Sequence, residues 1–412
     1  MHILWIKTEL LHPVDKGGRI RTYQMLRALA RQHQVTYLTL DDGTAAPDAL
    51  AKASEYCTRV ASVPFAPPPK GSVGFYAALV RNLVSPLPYA IARYEVPALR
   101  DRIRTLCRTA DVDVVVCDFL APSLNVPDDL GVSVVLFQHN VEAMIWERHA
   151  HVASNPLKKW YMGEQWRRMK RFEAAECRRV TTVVAVSPQD AEVFRREYGV
   201  HDVPDVPTGV DTEYFVRQPM VQRKPATMVF TGSMDWMPNE DGIAWFVESI
   251  LPRIRAAIPT ASLTIVGRNP TATVRALASG DGSVTVTGSV PDVRPYLASH
   301  QLFIVPLRVG GGTRLKIYEG MTMGLPTVST TIGAEGLPVR DGEHIVLADD
   351  PASFARECIA LLNDPARSEQ MGSAADRYVR DQFGWDGVAA RFAEFCRAAI
   401  PAAPDSLSVT KA

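Results

Sequence analysis

The chain has 412 residues, long enough for two cores, and its 47% hydrophobic and 22% charged content excludes wholesale disorder. Its 45 Lys and Arg balance 45 Asp and Glu, so no global field selects nucleic acid as a partner. The six cysteines are scattered with no Cys-x-x-Cys pair, which reads as reduced thiols in a cytoplasmic protein and not as a disulfide frame or zinc site. The first residues read as a short strand, not a signal peptide, and no apolar run reaches the ~20 residues that span a bilayer.

Residues 1–205 alternate short apolar runs with helical periods. Strands are expected at 3–6, 35–40, 60–63, 112–117, 133–137 and 181–185, a rhythm that implies a mostly parallel sheet covered on both faces. Ligands of such sheets sit at the carboxyl ends of strands. Gly17 and Gly18, between the first strand and a helix expected over 20–31, would then face a cleft, with Lys16 and Arg19 beside them. A plain loop needing glycine conformations is the competing reading. Asp111 and Asp113 spell Asp-x-Asp, a metal-binding pattern, but they stand at the starting end of a strand, the wrong end for a ligand. Asp118, at the finishing end, is better placed or simply opens the next turn.

Residues 66–98 break the rhythm. A proline run from Pro67 to Pro69 leads to an apolar helical face through Phe75, Tyr76, Leu79 and Val80, and a second proline-rich stretch ends at Tyr89. The insert either binds something large and apolar or packs as a hairpin on the domain. His139 and Glu142 follow the strand at 133–137 and are expected at the cleft edge, where His139 is as readily structural as chemical. A helix over 155–179 carries Lys158, Lys159, Arg167, Arg168, Lys170, Arg171, Arg178 and Arg179 interleaved with Trp160, Tyr161 and Trp166. It reads either as a basic aromatic face on an anionic membrane or as a solvated helix whose Glu164, Glu173 and Glu176 pair with those cations.

Polar residues 218–225 place a boundary, giving domains at 1–218 and 219–384, a helix at 385–402 and a disordered tail at 403–412. The second domain restarts the strand–helix rhythm at 228–230, 262–266, 284–287 and 302–305. Gly232 and Ser233 follow its first strand, and the absence of a GxGxxG argues against a dinucleotide. After the strand at 302–305, Pro306 stops the chain and Gly310, Gly311 and Gly312 make a loop whose backbone can approach a ligand closely. Thr313 reads as an N-cap, and Arg314 and Lys316 lie in the next turn. Free N–H groups at a helix start, with two cations beside them, suit phosphate. Glu319 would be repelled by phosphates and is better suited to accepting hydrogen bonds from sugar hydroxyls.

This stretch resembles the donor-site signature of the retaining glycosyltransferases of family 4, which have the GT-B fold. The resemblance implies two Rossmann-like α/β domains with a cleft between them and a terminal helix crossing back to the first domain. It implies a nucleotide-sugar donor, an acceptor that is a sugar, a lipid-linked or a small molecule, and no metal or other cofactor. The family's Glu-x7-Glu pattern is half met: Glu319 matches the second position and Gly311 occupies the first, so that role passes to backbone N–H groups or another side chain. In this analogy Arg314, Lys316 and the N–H groups of Gly311, Gly312 and Thr313 hold the diphosphate and Glu319 holds the ribose. The donor also lies against Gly17, Gly18, Gly232 and Ser233, and backbone near Val290 reads the base. The segment holding His139 and Glu142 is similar to one in a subgroup linked to bacterial exopolysaccharide systems. His139 would face the reacting sugar, with Glu142 and Tyr89 on the acceptor side. A nucleotide-sugar epimerase or phosphorylase on a similar fold and a non-catalytic nucleotide-sugar scaffold are the alternatives.

Overall fold

The computed structural model describes residues 1–14, 17–152, 155–218, 220–278, 280–309 and 315–401. The chain forms two compact units, Met1–Pro207 with Val388–Ala412, and Thr208–Gly387.

The first unit is built on six parallel strands: β1 (His2–Lys7), β2 (Gln34–Asp41), β3 (Arg59–Pro64), β4 (Val114–Asp118), β5 (Ser133–Phe137) and β6 (Thr182–Val184). Their order is β3-β2-β1-β4-β5-β6. All six residues of β1 are buried. A strand covered on both faces needs apolar residues at successive positions, which is why Ile3, Leu4, Trp5 and Ile6 run without alternation. The chain leaves β1 toward β2 and β3, then returns to the other side of β1 as β4. In such a sheet that reversal is where a crevice can form, between the carboxyl ends of β1 and β4. At the opposite end, the His2 amide donates to Asp113 Oδ2 at 2.7 Å, so Asp113 of the Asp-x-Asp pattern is used in joining strand starts.

Two local expectations are corrected. The first helix is Gly17–Ala30, so the two glycines lie in its first turn and not in a loop before it. A helix at Glu142–Val152, not foreseen, precedes the long helix Pro156–Arg179. Its cap comes from far along the chain: the buried Glu173 carboxylate accepts from the amides of Glu142 and Ala143 at 2.8 and 2.9 Å. The terminal helix Trp385–Ala399 contributes its residues from Val388 onward to this unit. Phe392 lies between Trp5 and Phe137, with ring centroids 5.4 and 4.8 Å away, and the Ala399 carbonyl accepts from Ser133 Oγ at 2.7 Å.

The second unit repeats the plan with β7 (Thr227–Thr231), β8 (Ser262–Val266), β9 (Val284–Val286), β10 (Leu302–Val305), β11 (Thr327–Ser329) and β12 (Val346–Leu347), in the order β12-β11-β10-β7-β8-β9. Its reversal point lies between β7 and β10. The helical segment after β7 starts at Met237, with Pro238 in its first turn. It is not one α-helix: Met237–Trp245 and Leu251–Ala257 are joined by a π-turn at Phe246–Ile250, where the Leu251 amide reaches back to the Phe246 carbonyl. At the start of the unit the Trp385 ring covers Gly209 so closely that a Cβ there would come within 2.6 Å of it. No helix among the described residues is long and apolar enough to cross a membrane.

Candidate functional site

In the second unit the reversal point is built by close backbone contacts. A Cβ on Gly242 would stand 2.5 Å from the Pro306 carbonyl, and one on Gly267 would overlap the Gly232 carbonyl. These glycines let the first helix settle onto the ends of β7, β8 and β10. Lys316 is held there: its Nζ donates to Asn239 Oδ1 at 2.9 Å and lies 4.2 Å from the centre of the Phe230 ring. The buried Asn239 in turn donates to the Ser233 carbonyl at 2.8 Å. A Cβ on Gly232 would meet Asn239 Nδ2 at 2.7 Å and Lys316 Nζ at 2.9 Å, so Gly232, Ser233 and Lys316 are brought together as one corner.

Glu319 stands one turn beyond Lys316 on helix Leu315–Thr322. The helix seats closely because Gly320 has no side chain to collide with Phe303, whose ring would be 2.7 Å from a Cβ. Glu319 keeps a partly exposed edge, yet burial pushes its carboxyl up to about 7, with Lys316 pulling the other way. Among the described residues that carboxyl has no hydrogen-bond or ion-pair partner. A desolvated acceptor that no described residue pairs is costly unless donors are supplied to it, as a ligand could. Gly311, Gly312, Thr313 and Arg314, with Gly310, lie outside the described residues, as does Lys16 in the first unit.

Arg268 was not singled out by sequence reasoning. It follows Gly267 at the end of β8, and its Nε donates to Ser233 Oγ at 3.1 Å. Ser233 Oγ donates to Asp235 Oδ1 at 2.5 Å, and Asn269 Nδ2 donates to Asp235 Oδ2 at 3.0 Å. Position 233 lacks a basic side chain, but a guanidinium reaches it from the neighbouring strand. The only signal in the sequence was a cation directly after a strand-ending glycine. Val290 is partly buried against the core of this unit, in a loop that begins at Gly288 with φ of +73°. A hollow of about 510 Å³ beside that loop is lined by Asn269, Arg275, Val286, Thr287 and Ser289 among others.

The first unit's reversal point is closed. Lys7 ends β1 and Asp118 ends β4, and both are fully buried. Asp118 Oδ2 accepts from Lys7 Nζ at 2.9 Å, Thr22 Oγ1 at 2.5 Å and Trp5 Nε1 at 3.2 Å. Burial alone would raise the Asp118 carboxyl; Lys7 and His139 beside it hold it well below the usual carboxylate range. His139 is 7% exposed, so it is not on an open edge as expected. Phe119, at φ of +72°, turns over it and stacks at 3.9 Å between ring centroids, while Phe137 lies 4.6 Å away. His139 Nε2 stands 2.6 Å from Asp118 Oδ1, out of line for an ordinary hydrogen bond. Burial pushes the imidazole down to about 4 against the pull of Asp118, so it is neutral at neutral pH and Lys7 supplies the charge facing Asp118.

Gly18 packs under the same Phe119 ring, 3.3 Å from where a Cβ would stand, while a Cβ on Gly17 would meet nothing within 4 Å. Glu142 is half-buried, with its carboxyl raised by that burial. Tyr89 lies in the insert, its amide donating to Gln165 Oε1 at 2.7 Å, and no hydrogen bond or ring contact among the described residues joins it to His139 or Glu142. Sequence reasoning also missed a polar hollow of about 250 Å³ at the ends of β1, β2 and β3, lined by Glu9, Arg19, Asp41, Asp42 and Tyr94 among others. Arg19 is ion-paired there with Glu9 at 2.8 Å, and Tyr94 stacks with Phe65 at 5.5 Å.

Comparison with known proteins places each unit in turn. The family described as Glycosyltransferase Family 4 matches residues 16–214, and that described as Glycosyl transferases group 1 matches residues 225–364. A 44.6 kDa protein from the cps region of Klebsiella pneumoniae is 25% identical over 164 residues, 38% of this chain and 42% of that protein. The GDP-mannose-dependent alpha-(1-6)-phosphatidylinositol monomannoside mannosyltransferase of Mycobacterium tuberculosis H37Rv is 27% identical over 215 residues, 47% of this chain and 55% of the enzyme. The chain thus spans about half the length of these relatives. Among solved structures, sucrose-phosphate synthase from Thermosynechococcus elongatus superposes with a TM-score of 0.64 at 17% identity, covering 97% of this chain and 98% of that one. Anabaena HepE in complex with UDP superposes at 0.63 and 13% identity, covering 97% and 100%. Identities this low establish the fold, GT-B with two Rossmann-like domains, and nothing finer.

Proposed function

Because the chain belongs to the family 4 glycosyltransferases, we propose that it moves a sugar from a nucleotide-sugar donor to an acceptor hydroxyl with retention of configuration, in polysaccharide or glycoconjugate biosynthesis. The observation that carries this reading is Glu319, a desolvated carboxyl that no described residue pairs, one helical turn from a fixed lysine at a strand reversal. Ribose hydroxyls would supply the donors it lacks. Lys316, with Arg314, Arg268 and the loop amides of Gly311, Gly312 and Thr313, would hold the diphosphate, where negative charge develops as the sugar leaves. In this reading the charge is met by side chains and amides, and no metal is called on. Base recognition falls to backbone around Val290 and the adjoining hollow.

The acceptor side is assigned to the first unit. Its polar hollow near Glu9, Arg19 and Tyr94 offers carboxylates and an aromatic face suited to a sugar or polyol. His139, neutral and held by Asp118 and Phe119, can orient a hydroxyl without carrying charge. The Mycobacterium tuberculosis relative is GDP-mannose-dependent and Anabaena HepE is solved with UDP and with UDP-glucose, so these donors come first.

The test follows release of nucleoside diphosphate and thermal shift with GDP-mannose and a set of UDP-sugars, using Glu319→Ala as control. Turnover of one donor that the variant loses supports the assignment. A shift without turnover, even with membrane extract added as acceptor, would make the protein a binder and not a transferase. If no nucleotide shifts the melting curve, the donor site is wrong.

A further inference from the structure

We propose that the outer face of the insert in the first unit, together with the first turns of helix Pro156–Arg179, docks onto an anionic lipid surface. The insert contains helices Val73–Asn82 and Tyr89–Ala92. One side of it is firmly attached. Arg168 donates to the carbonyls of Asn82 and Leu83 at 2.6 and 2.8 Å, closing the first insert helix, and Gln165 bonds Asn82 Oδ1 at 3.2 Å and the Tyr89 amide at 2.7 Å. The hairpin packing read from the sequence therefore accounts for this side.

The other side is apolar and uncovered. Val73, Tyr76 and Val80 fall at i, i+3 and i+7 on one helical stripe and are 87%, 59% and 67% exposed. Val84 continues beyond the helix, and Leu157 and Trp160, at the start of the long helix, are likewise exposed. Firm attachment on one side and an apolar stripe on the other is how a helix lies in an interface plane.

The charge around this stripe selects the occupant. Residues 66–94 contain Lys70, Arg81 and Arg93 and no Asp or Glu, and residues 155–163 contain Lys158 and Lys159 and again no acid. The long basic helix is in fact two regions. Farther along, Arg167 and Arg168 pair with Glu164, Lys170 with Glu197, and Arg179 with Glu176 and Asp128. Among the described residues Lys158 and Lys159 have no ion-pair partner. Arg171 and Arg178, farther along, also lack an ion pair among the described residues, Arg178 donating instead to the Tyr198 carbonyl. The end beside the apolar stripe, however, combines two unpaired lysines with no acid, and that pattern fits anionic headgroups above an acyl boundary. A second copy of the chain fits worse, since a two-fold contact would set the same cations against each other.

This inference does not depend on the donor assignment, and its test uses no nucleotide. The full-length protein is floated with phosphatidylcholine vesicles, with or without phosphatidylglycerol. Flotation is expected only with the anionic lipid and is expected to weaken with salt. Lys158→Gln and Lys159→Gln should each lower the partition coefficient about fivefold. Val80→Asp, an exposed position whose change leaves the melting curve in place, should abolish flotation. Quenching of tryptophan emission by brominated lipid should fall in Trp160→Phe. Absence of flotation, equal flotation with neutral vesicles, or a lipid-free self-association that Val80→Asp removes would overturn the proposal.

Discussion

The two units share one strand order and one reversal point, and use it in opposite ways. In the first, the crevice is filled by the protein's own ion pair: Lys7 and Asp118 meet at 2.9 Å with Thr22 and Trp5 completing the carboxylate's contacts. In the second, the equivalent place holds a lysine on an amide and a carboxyl with no partner among the described residues. The first crevice spends most of its polar capacity inside the protein, with Asp118 Oδ1 and His139 Nε2 left without an ordinary hydrogen bond; the second leaves a whole carboxyl unmatched by any described residue. Topology says where a site can be, and the amount of unspent hydrogen-bonding capacity says how much of each place is left for a ligand.

The sharpest way to break this contrast is to remove Asp118. If the cluster is structural, Asp118→Ala strands a buried ammonium and should cost roughly 3–5 kcal/mol in chemical denaturation. Replacing the pair together, as Lys7→Met with Asp118→Leu, should recover most of that loss. Glu319→Ala should do the reverse. It should lower kcat/KM on the order of 100-fold by removing hydrogen bonds to a charged acceptor, while leaving the melting temperature equal or higher. A fall in stability as large as that of Asp118→Ala would erase the contrast.

The third prediction is a pH profile. Donor hydroxyls need the ionised Glu319, whose carboxyl sits at about 7 in the free protein. Donor affinity should rise as pH increases through that value, by roughly tenfold between about pH 6 and pH 8, and Glu319→Gln should flatten the curve. The smallest effect is expected from Gly232→Ala. The new methyl group would press on Asn239 and Lys316, so donor affinity should drop several-fold for about 1 kcal/mol of stability, read by calorimetry and thermal melting.

Much of the architecture was legible because both sheets are parallel and buried, so their strands appear as uninterrupted apolar runs such as Leu302 to Val305. The fold class and the positions of Gly232, Lys316 and Glu319 came with that pattern. What stayed hidden depends on residues far apart in the chain. Lys7 and Asp118 are separated by 111 positions, and nothing in either neighbourhood announces the other. The Glu142–Val152 helix takes its cap from Glu173, so the usual Ser, Thr, Asp or Asn signal at its start was no guide. Arg268 reaches Ser233 from the end of another strand, which neither stretch of sequence announces. The basic run of the long helix is plain in the sequence, but only the fold separates the cations paired with Glu164, Glu176 and Glu197 from those, Lys158 and Lys159 among them, that have no ion pair among the described residues.

The π-turn at Phe246–Ile250 sets a phase. One added residue per turn rotates everything after it by about 100° relative to a continuous α-helix. Asn239 before the turn faces Lys316, while Ile254 after it faces the core of the same unit. Deleting a single residue from Phe246 to Ile250 would restore ideal helical hydrogen bonding and yet force a choice between those two contacts. The segment behaves as a gear with one extra tooth, and its length is constrained more tightly than its composition.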